Sequence, residues 1–126
     1  MKKSDILYFI EETNFNNVRN VFNKHILEFE EYRRAISKKG SAIHFTIERD
    51  IDFVFSKSHL SQLGKLYIND VFSELELNFI VDIIISSFNS FENENVAENL
   101  ELLTDPEVNG HLSKEKVKEL IKDYGC

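Results

Sequence analysis

Ten carboxylates lie between Lys65 and Lys114, in a stretch of 48 residues that contains no lysine and no arginine. They are Asp70, Glu74, Glu76, Asp82, Glu92, Glu94, Glu98, Glu101, Asp105 and Glu107. Such groups can coordinate cations, transfer protons or attract basic molecules. The first 41 residues instead carry eight basic side chains against six acidic ones. The formal charge of −7 therefore comes from the second half of the chain. This charge favours a basic partner over nucleic acid.

Catalytic and metal-binding patterns are not recognisable in the sequence. The four histidines (His25, His44, His59 and His111) form no ligand pair at helical or strand spacing. The glycines are isolated, so no phosphate-binding loop is predicted. The single cysteine, Cys126, stands last in the sequence, where it makes a poor nucleophile. We expect no enzyme activity, no metal and no cofactor.

One string resembles an EF-hand calcium loop, residues 105–116. Asp105, Glu107 and Asn109 supply oxygen atoms at the first, third and fifth places, and glycine stands at the sixth. The twelfth place should offer a bidentate glutamate but holds Lys116. A connection between two helices, with an Asn-Gly turn, explains the string better. A calcium-responsive module remains the alternative function.

The composition predicts one soluble domain spanning residues 1–126. This length and 42% apolar residues suffice for a core without disulfides. The apolar run at residues 6–10 is too short for a secretory signal, and the run at 79–85 is too short for a membrane span. A cytoplasmic protein without membrane association is expected, and its oligomeric state stays open.

The first half of the chain predicts two helices followed by a small sheet. Ser4 is placed to cap a helix over Asp5–Glu12, and apolar spacings of three and four predict a long helix over residues 14–36. Apolar residues then alternate with polar ones from Ile43 to Phe55. This period predicts an antiparallel hairpin that turns near residues 48–50, or one long strand. Leu66–Ile68 could add a third strand after a helical turn at Ser58–Leu63.

The second half predicts three further helices, although the isoleucine triplet Ile83–Ile85 leaves a strand as the alternative for the first of them. Ser73 and Glu76 match a capping box ahead of a largely apolar helix, and Asn93 and Ser113 precede two more helices. On the apolar helix, a narrow polar line is predicted to face solvent: Glu74, Asn78, Asp82 and Ser86. The fold class predicted is α+β, a mainly helical single domain with a small central antiparallel β-hairpin or sheet.

A partner-binding surface is predicted where the acidic residues concentrate. Its members are Asp70, Glu74, Asn78, Asp82, Glu92, Glu94 and Glu98. Carboxylates in a row can imitate phosphates and attract a cationic protein. The alternative is a structural or regulatory subunit whose acidic face is only solvated.

Three segments carry a family resemblance: Tyr67–Glu74, the acidic loop through Glu94, and Asp105–Gly110. With the small acidic single domain, they resemble the immunity proteins of bacterial toxin systems, of the colicin or contact-dependent inhibition type. The resemblance implies a protein that binds one cognate toxin domain and blocks it. A basic toxin, such as a nuclease, would suit the charge.

Overall fold

The computed structural model describes residues 1–36, 47–88, 90–104 and 111–122. Helices account for 68% of these residues. Within the described parts, the chain forms seven helices: α1 (Lys3–Glu11), α2 (Phe15–Asn23), α3 (Ile26–Ile36), α4 (Lys57–Ile68), α5 (Glu74–Ser87), α6 (Glu94–Glu101) and α7 (Lys114–Ile121). None of them is long and apolar enough to cross a membrane.

The predicted α+β class is wrong for the described residues, which contain no strand or sheet. Residues 47–55, which we call the arm, make only two isolated parallel bridges, Lys2 with Glu48 and Phe55 with Phe91. The arm still shows the burial alternation of a strand. Alternating burial shows that one face of the segment is covered. A sheet also requires an adjacent strand whose backbone forms hydrogen bonds with the segment. The other half of the predicted hairpin, residues 43–46, lies outside the described residues.

The predicted helix over residues 14–36 is interrupted at Lys24 and His25. The N–H groups of these two residues donate to carbonyls three residues earlier, at 3.1 and 2.8 Å, which is tighter than α-helical bonding. The His25 ring lies 3.1 Å from a Glu28 oxygen and 3.5 Å from Asp5 of α1. His25, at the interruption, therefore contacts both α1 and α3.

The predicted third strand at Leu66–Ile68 is also wrong, since these residues form the last turn of α4. The helix begins one residue after Ser56, whose hydroxyl accepts the N–H of His59. Leu60, Leu63 and Leu66 repeat at a spacing of three and are completely buried. A buried apolar stripe at helical spacing therefore decides the structure of this segment.

Helix α5 lies at the centre, as its apolar sequence predicted. The predicted capping box is confirmed, because Ser73 accepts the N–H of Glu76 while Glu76 accepts the N–H of Ser73. Phe79 of α5 joins a buried ring cluster with Phe22 and Phe29, with centroids 5.6–6.3 Å from its own. Aromatic packing of this kind holds α2 and α3 against α5.

At Gly64, helices α4 and α7 pack closely. A Cβ atom at this position would lie 2.8 Å from Cγ2 of Ile121 and 3.1 Å from Cγ1 of Val117. Real Cβ atoms do not approach other atoms so closely, so a larger residue would push the two helices apart. The absence of a side chain at Gly64 therefore sets the distance between α4 and α7.

Replacing Gly64 with valine is expected to lower the free energy of unfolding by about 1–2 kcal/mol, because overpacking forces the helices apart. Chemical denaturation measures the change. Lys118→Val places the same side chain on an exposed position of α7 and should change stability by less than about 0.5 kcal/mol. Equal effects of the two substitutions would contradict the close packing at Gly64.

Candidate partner-binding site

Three of the predicted surface residues, Glu74, Asn78 and Asp82, form what we call the polar seam of α5. Asn78 is only 3% exposed. When its side-chain amide is oriented so that both the oxygen and the nitrogen have partners, the nitrogen donates to the carbonyl oxygens of Leu103 at 2.8 Å and Glu74 at 3.3 Å. A Glu74 carboxylate oxygen accepts the N–H of Leu112 at 2.7 Å. The prediction that this line faces solvent is therefore wrong for Asn78, whereas Glu74 and Asp82 are partly buried and Ser86 is exposed.

Asp82 uses both carboxylate oxygens inside the protein. One accepts the hydroxyl of Tyr32 at 2.7 Å, and the other accepts the hydroxyl of Thr104 at 2.6 Å. Burial, followed by the hydrogen bond to Asp82, raises the pKa of Tyr32 well above its ordinary value. The polar seam thus ties α3 and the segments around residues 103–104 and 111–112 to the central helix.

Asp70 follows α4 with a left-handed backbone (φ of 60°), a conformation that aspartate tolerates after a helix. Its side chain is 78% exposed, and Oδ1 lies 2.7 Å from Nζ of Lys114 at the start of α7. An exposed pair of this kind contributes little stability. Asp70 is therefore accessible, but a cation of the chain already partly neutralises it.

Glu92 lies at the surface and contacts the N-terminus of α4. Its Oε2 accepts the N–H of Lys57, the first residue of that helix, at 2.8 Å. A carboxylate there interacts favourably with the positive end of the helix dipole. The residue is nevertheless exposed, so its charge remains accessible from solvent.

Glu94 and Glu98 stand one turn apart on the outer face of α6, and both are exposed. The helix begins at the predicted cap, where Asn93 accepts the N–H of Val96 at 3.0 Å, and buried Val96 and Leu100 fix its orientation. Among the described residues, neither glutamate makes an ion pair. Glu92, Glu94 and Glu98 therefore form one accessible acidic surface, which we call the α6 surface.

The arm extends this surface, which the sequence prediction missed. The N–H of Phe55 donates to the carbonyl of Ser90, and the N–H of Glu92 donates to the carbonyl of Phe55, both at 2.9 Å. The arm thus ends beside Glu92. Exposed Asp50 and Asp52 lie upstream on it. Their alternation with apolar residues was the signal, but it was assigned to a hairpin instead of to an acidic edge.

The described histidines contact carboxylates rather than one another. His59 Nε2 lies 3.1 Å from Glu11, and its Nδ1 accepts the N–H of Ser56 at 3.1 Å, which makes Nε2 the protonated nitrogen. His111 lies 3.4 Å from Glu74. No group of three or more potential ligands suited to a metal occurs in the parts of the chain that the structure describes.

The EF-hand-like string is described only from residue 111 onward, because residues 105–110 lie outside the described residues. Ser113 accepts the N–H of Lys116 at 3.1 Å and is the N-cap of α7, as predicted. Nζ of Lys116 lies 3.4 Å from the carbonyl of His111. The twelfth position of the string therefore belongs to the first turn of a helix, and it carries a cation.

These observations define a mainly helical protein with an acidic surface at α6 and at the end of the arm. Compared with protein-family models, with curated proteins and with solved structures, the chain has no match in any of the three comparisons. The functional argument therefore starts from the α6 surface.

Proposed function

We propose that this protein binds and neutralises a cationic protein through the α6 surface. The most concrete form of the proposal is an immunity protein against a basic toxin domain, such as a nuclease acting in the cytoplasm. Asn78 and Asp82 are omitted from the contact surface because one is buried and the other is bonded internally. Asp70 and Glu74 are omitted as well, because they contact Lys114 of α7 and Leu112 just before it.

The observation that supports the proposal is that Glu94 and Glu98 make no ion pair with any residue that the structure describes. Glu94 and Glu98 are like charges at a spacing of four, which disfavours a helix by about 0.2–0.5 kcal/mol. The last turn of α6 contains no basic residue that could offset them at the negative end of the dipole. Glu94 in the first turn of α6 is favoured by the positive end of the helix dipole, but this does not compensate Glu98 or the repulsion between the two charges, which a cationic partner would relieve.

The same surface offers an apolar contact. Leu102, one turn after Glu98, is 45% exposed and could supply an apolar contact beside the acidic residues. Interfaces combine a small apolar centre with a charged rim, and the rim accelerates association. We therefore expect fast, salt-sensitive binding that also depends on Leu102.

The test uses the product of the adjacent reading frame as the candidate toxin, because immunity genes usually stand beside toxin genes. Binding is measured by surface plasmon resonance at two salt concentrations. Glu94→Lys combined with Glu98→Lys should weaken binding by at least about tenfold, mainly through the association rate. Glu98→Lys alone is compared with Glu31→Lys, which makes the same change of charge at an exposed position on α3.

Unchanged affinity of the double variant for a bound candidate would overturn the role of the α6 surface. A candidate that binds without losing its toxic activity in a growth assay would overturn the inhibitory function. Equal effects of Glu98→Lys and of Glu31→Lys would indicate a general dependence on net charge, and this result would also contradict the proposal.

A further inference from the structure

We propose that the arm accepts an extended, lysine- or arginine-rich segment of the partner protein as an added β-strand. This inference rests on the proposed function, since it names how the cationic partner of the α6 surface contacts the chain. It concerns residues 49–54, which the sequence prediction had assigned to a hairpin.

The backbone of the arm is hydrogen-bonded to the rest of the protein at both of its ends. No turn or bend occurs between residues 47 and 56. At one end, the N–H of Lys3 donates to the carbonyl of Glu48 at 2.9 Å, and the N–H of Glu48 donates to the carbonyl of Met1 at 3.2 Å. At the other end, Phe55 is bridged to Phe91. The arm is therefore anchored at both ends before a partner arrives.

Between these anchors, backbone hydrogen bonds are lacking. The N–H and C=O groups of residues 49–54 make no backbone hydrogen bond to any other residue that the structure describes. Six extended residues span about 20 Å, the usual length of a strand. A row of unpaired peptide groups of this length is a template for strand addition.

Side-chain packing fixes which face of the arm is covered. Phe53 packs edge-on against Phe88 with ring centroids 4.9 Å apart, and its ring also meets His59 at 5.6 Å. Phe55 is completely buried. Alternate residues of the arm, among them Phe53 and Phe55, face the protein. If the arm moved along its axis by one residue, these aromatic rings would face solvent. A partner strand would therefore meet a template of defined register.

On the face that carries Asp50 and Asp52, the outward side chains favour a cationic strand, whereas exposed Arg49 belongs to the alternate face of the arm. Asp52 is 95% exposed, although its carboxylate lies 3.3 Å from buried Lys3. Asp50 accepts the hydroxyl and N–H of Ser4, and the hydroxyl bond lowers the pKa of Asp50, so it stays charged at neutral pH. Opposite charges on adjacent strands attract, and like charges repel. Pairing between two copies of the arm is therefore disfavoured.

Continuity with the α6 surface supports the same occupant. The arm passes through the Phe55 bridge directly to Glu92, which leads to Glu94 at the start of α6. Val54, which is 53% exposed, stands between the acidic part of the arm and this junction. One cationic partner can therefore pair with the arm and contact the α6 surface at once.

The test uses an acetylated, amidated peptide of about eight residues that alternates lysine and valine. Titrated into the full chain at low ionic strength, it should bind saturably with a Kd at or below about 1 mM. The amide resonances of residues 49–54 should shift in the NMR spectrum. The same peptide with all backbone nitrogens methylated keeps its charge but loses its donors, and it should bind at least about tenfold more weakly.

Variants of the protein test whether the backbone edge of the arm binds the peptide. Val54→Pro removes one backbone donor and should weaken binding of the peptide, whereas Val54→Ala keeps the donor and should not. Asp52→Lys should weaken binding through its charge. Should Val54→Pro fail to fold, the methylated peptide still decides the question with the unchanged protein.

Three results would overturn the inference: no saturable binding, equal binding of the methylated peptide, or a dimer in sedimentation that Val54→Pro dissociates. The last result would identify a second copy as the occupant. If the α6 variants weaken binding of the candidate toxin and Val54→Pro does not, only the arm proposal fails. If Val54→Pro weakens binding of the candidate toxin and the α6 variants do not, the proposed role of the α6 surface is contradicted and the arm proposal is not.

Discussion

Replacing Asp82 with alanine is expected to lower the free energy of unfolding by about 3 kcal/mol, because two hydrogen bonds to a charged acceptor are lost together. The hydroxyl groups of Tyr32 and Thr104 would each lose this acceptor. Tyr32 is only 5% exposed, so water cannot readily replace the carboxylate there. Urea denaturation at neutral pH measures the loss.

A double-mutant cycle with Tyr32→Phe isolates the bond between the two side chains. If Asp82 acted instead as an exposed contact for a partner, its removal would change stability no more than removal of exposed Glu98. Glu98→Ala, expected to stay within about 0.5 kcal/mol, is therefore the matched control. Equal stability of the two variants would contradict the internal role of Asp82.

The pH dependence of stability provides a second measurement. The pKa of Tyr32 is raised in the folded protein, so the stability gained from its proton is complete below the pKa of an exposed tyrosine, about 10. It is lost as the pH rises above that value. Tyr32→Phe should remove this part of the alkaline decline in stability.

Local signals in the sequence predicted three of the helix starts correctly. Ser73, Asn93 and Ser113 each accept an N–H three residues ahead, as a capping residue should. Such a cap depends on only four consecutive residues, so it can be predicted without the rest of the fold. The first helix is an instructive exception: Asp5 accepts the N–H of Lys2, while Ser4 binds Asp50 of the arm.

The pairing of the arm could not be predicted, because alternation reports burial and not the position of another strand. Phe53 and Phe55 are covered by aromatic side chains, and this alone produces a period of two. A sheet would also require a parallel or antiparallel neighbour along the whole segment. The hairpin was predicted because one face of the segment is covered by side chains, but this burial does not show that the edge of the segment pairs with another strand.

For a similar reason, the sequence could not predict which of the proposed acidic residues lie at the surface. Helical periodicity shows that Glu74, Asn78 and Asp82 share one face of α5, but not what packs against it. The segments that cover this face, around residues 104 and 112, are distant in the sequence. Glu94 and Glu98 stay accessible because α6 packs through its opposite face.

Replacing Arg19 with methionine is expected to lower the free energy of unfolding by about 2–3 kcal/mol. Nη1 of Arg19 donates to both carboxylate oxygens of Glu76, at 2.8 and 2.7 Å, and to the carbonyl of Val71 at 3.1 Å. Removing one partner of a largely buried pair leaves the other charge uncompensated, which costs about 3–5 kcal/mol in fully buried cases. The Arg19 side chain is 37% exposed, so solvent reduces this loss.

Methionine is chosen because it keeps much of the alkyl stem that packs beside Phe22. Arg19→Met combined with Glu76→Gln should recover most of the lost stability, since glutamine removes the stranded charge and still serves a capping box. A cleft of about 520 Å³ lies beside the pair. If water entering from this cleft already satisfied Glu76, the single variant would be nearly as stable as the original protein and the double variant would recover nothing. Guanidinium denaturation of the four proteins of this cycle distinguishes a pair that joins α2 to α5 from a solvated surface contact.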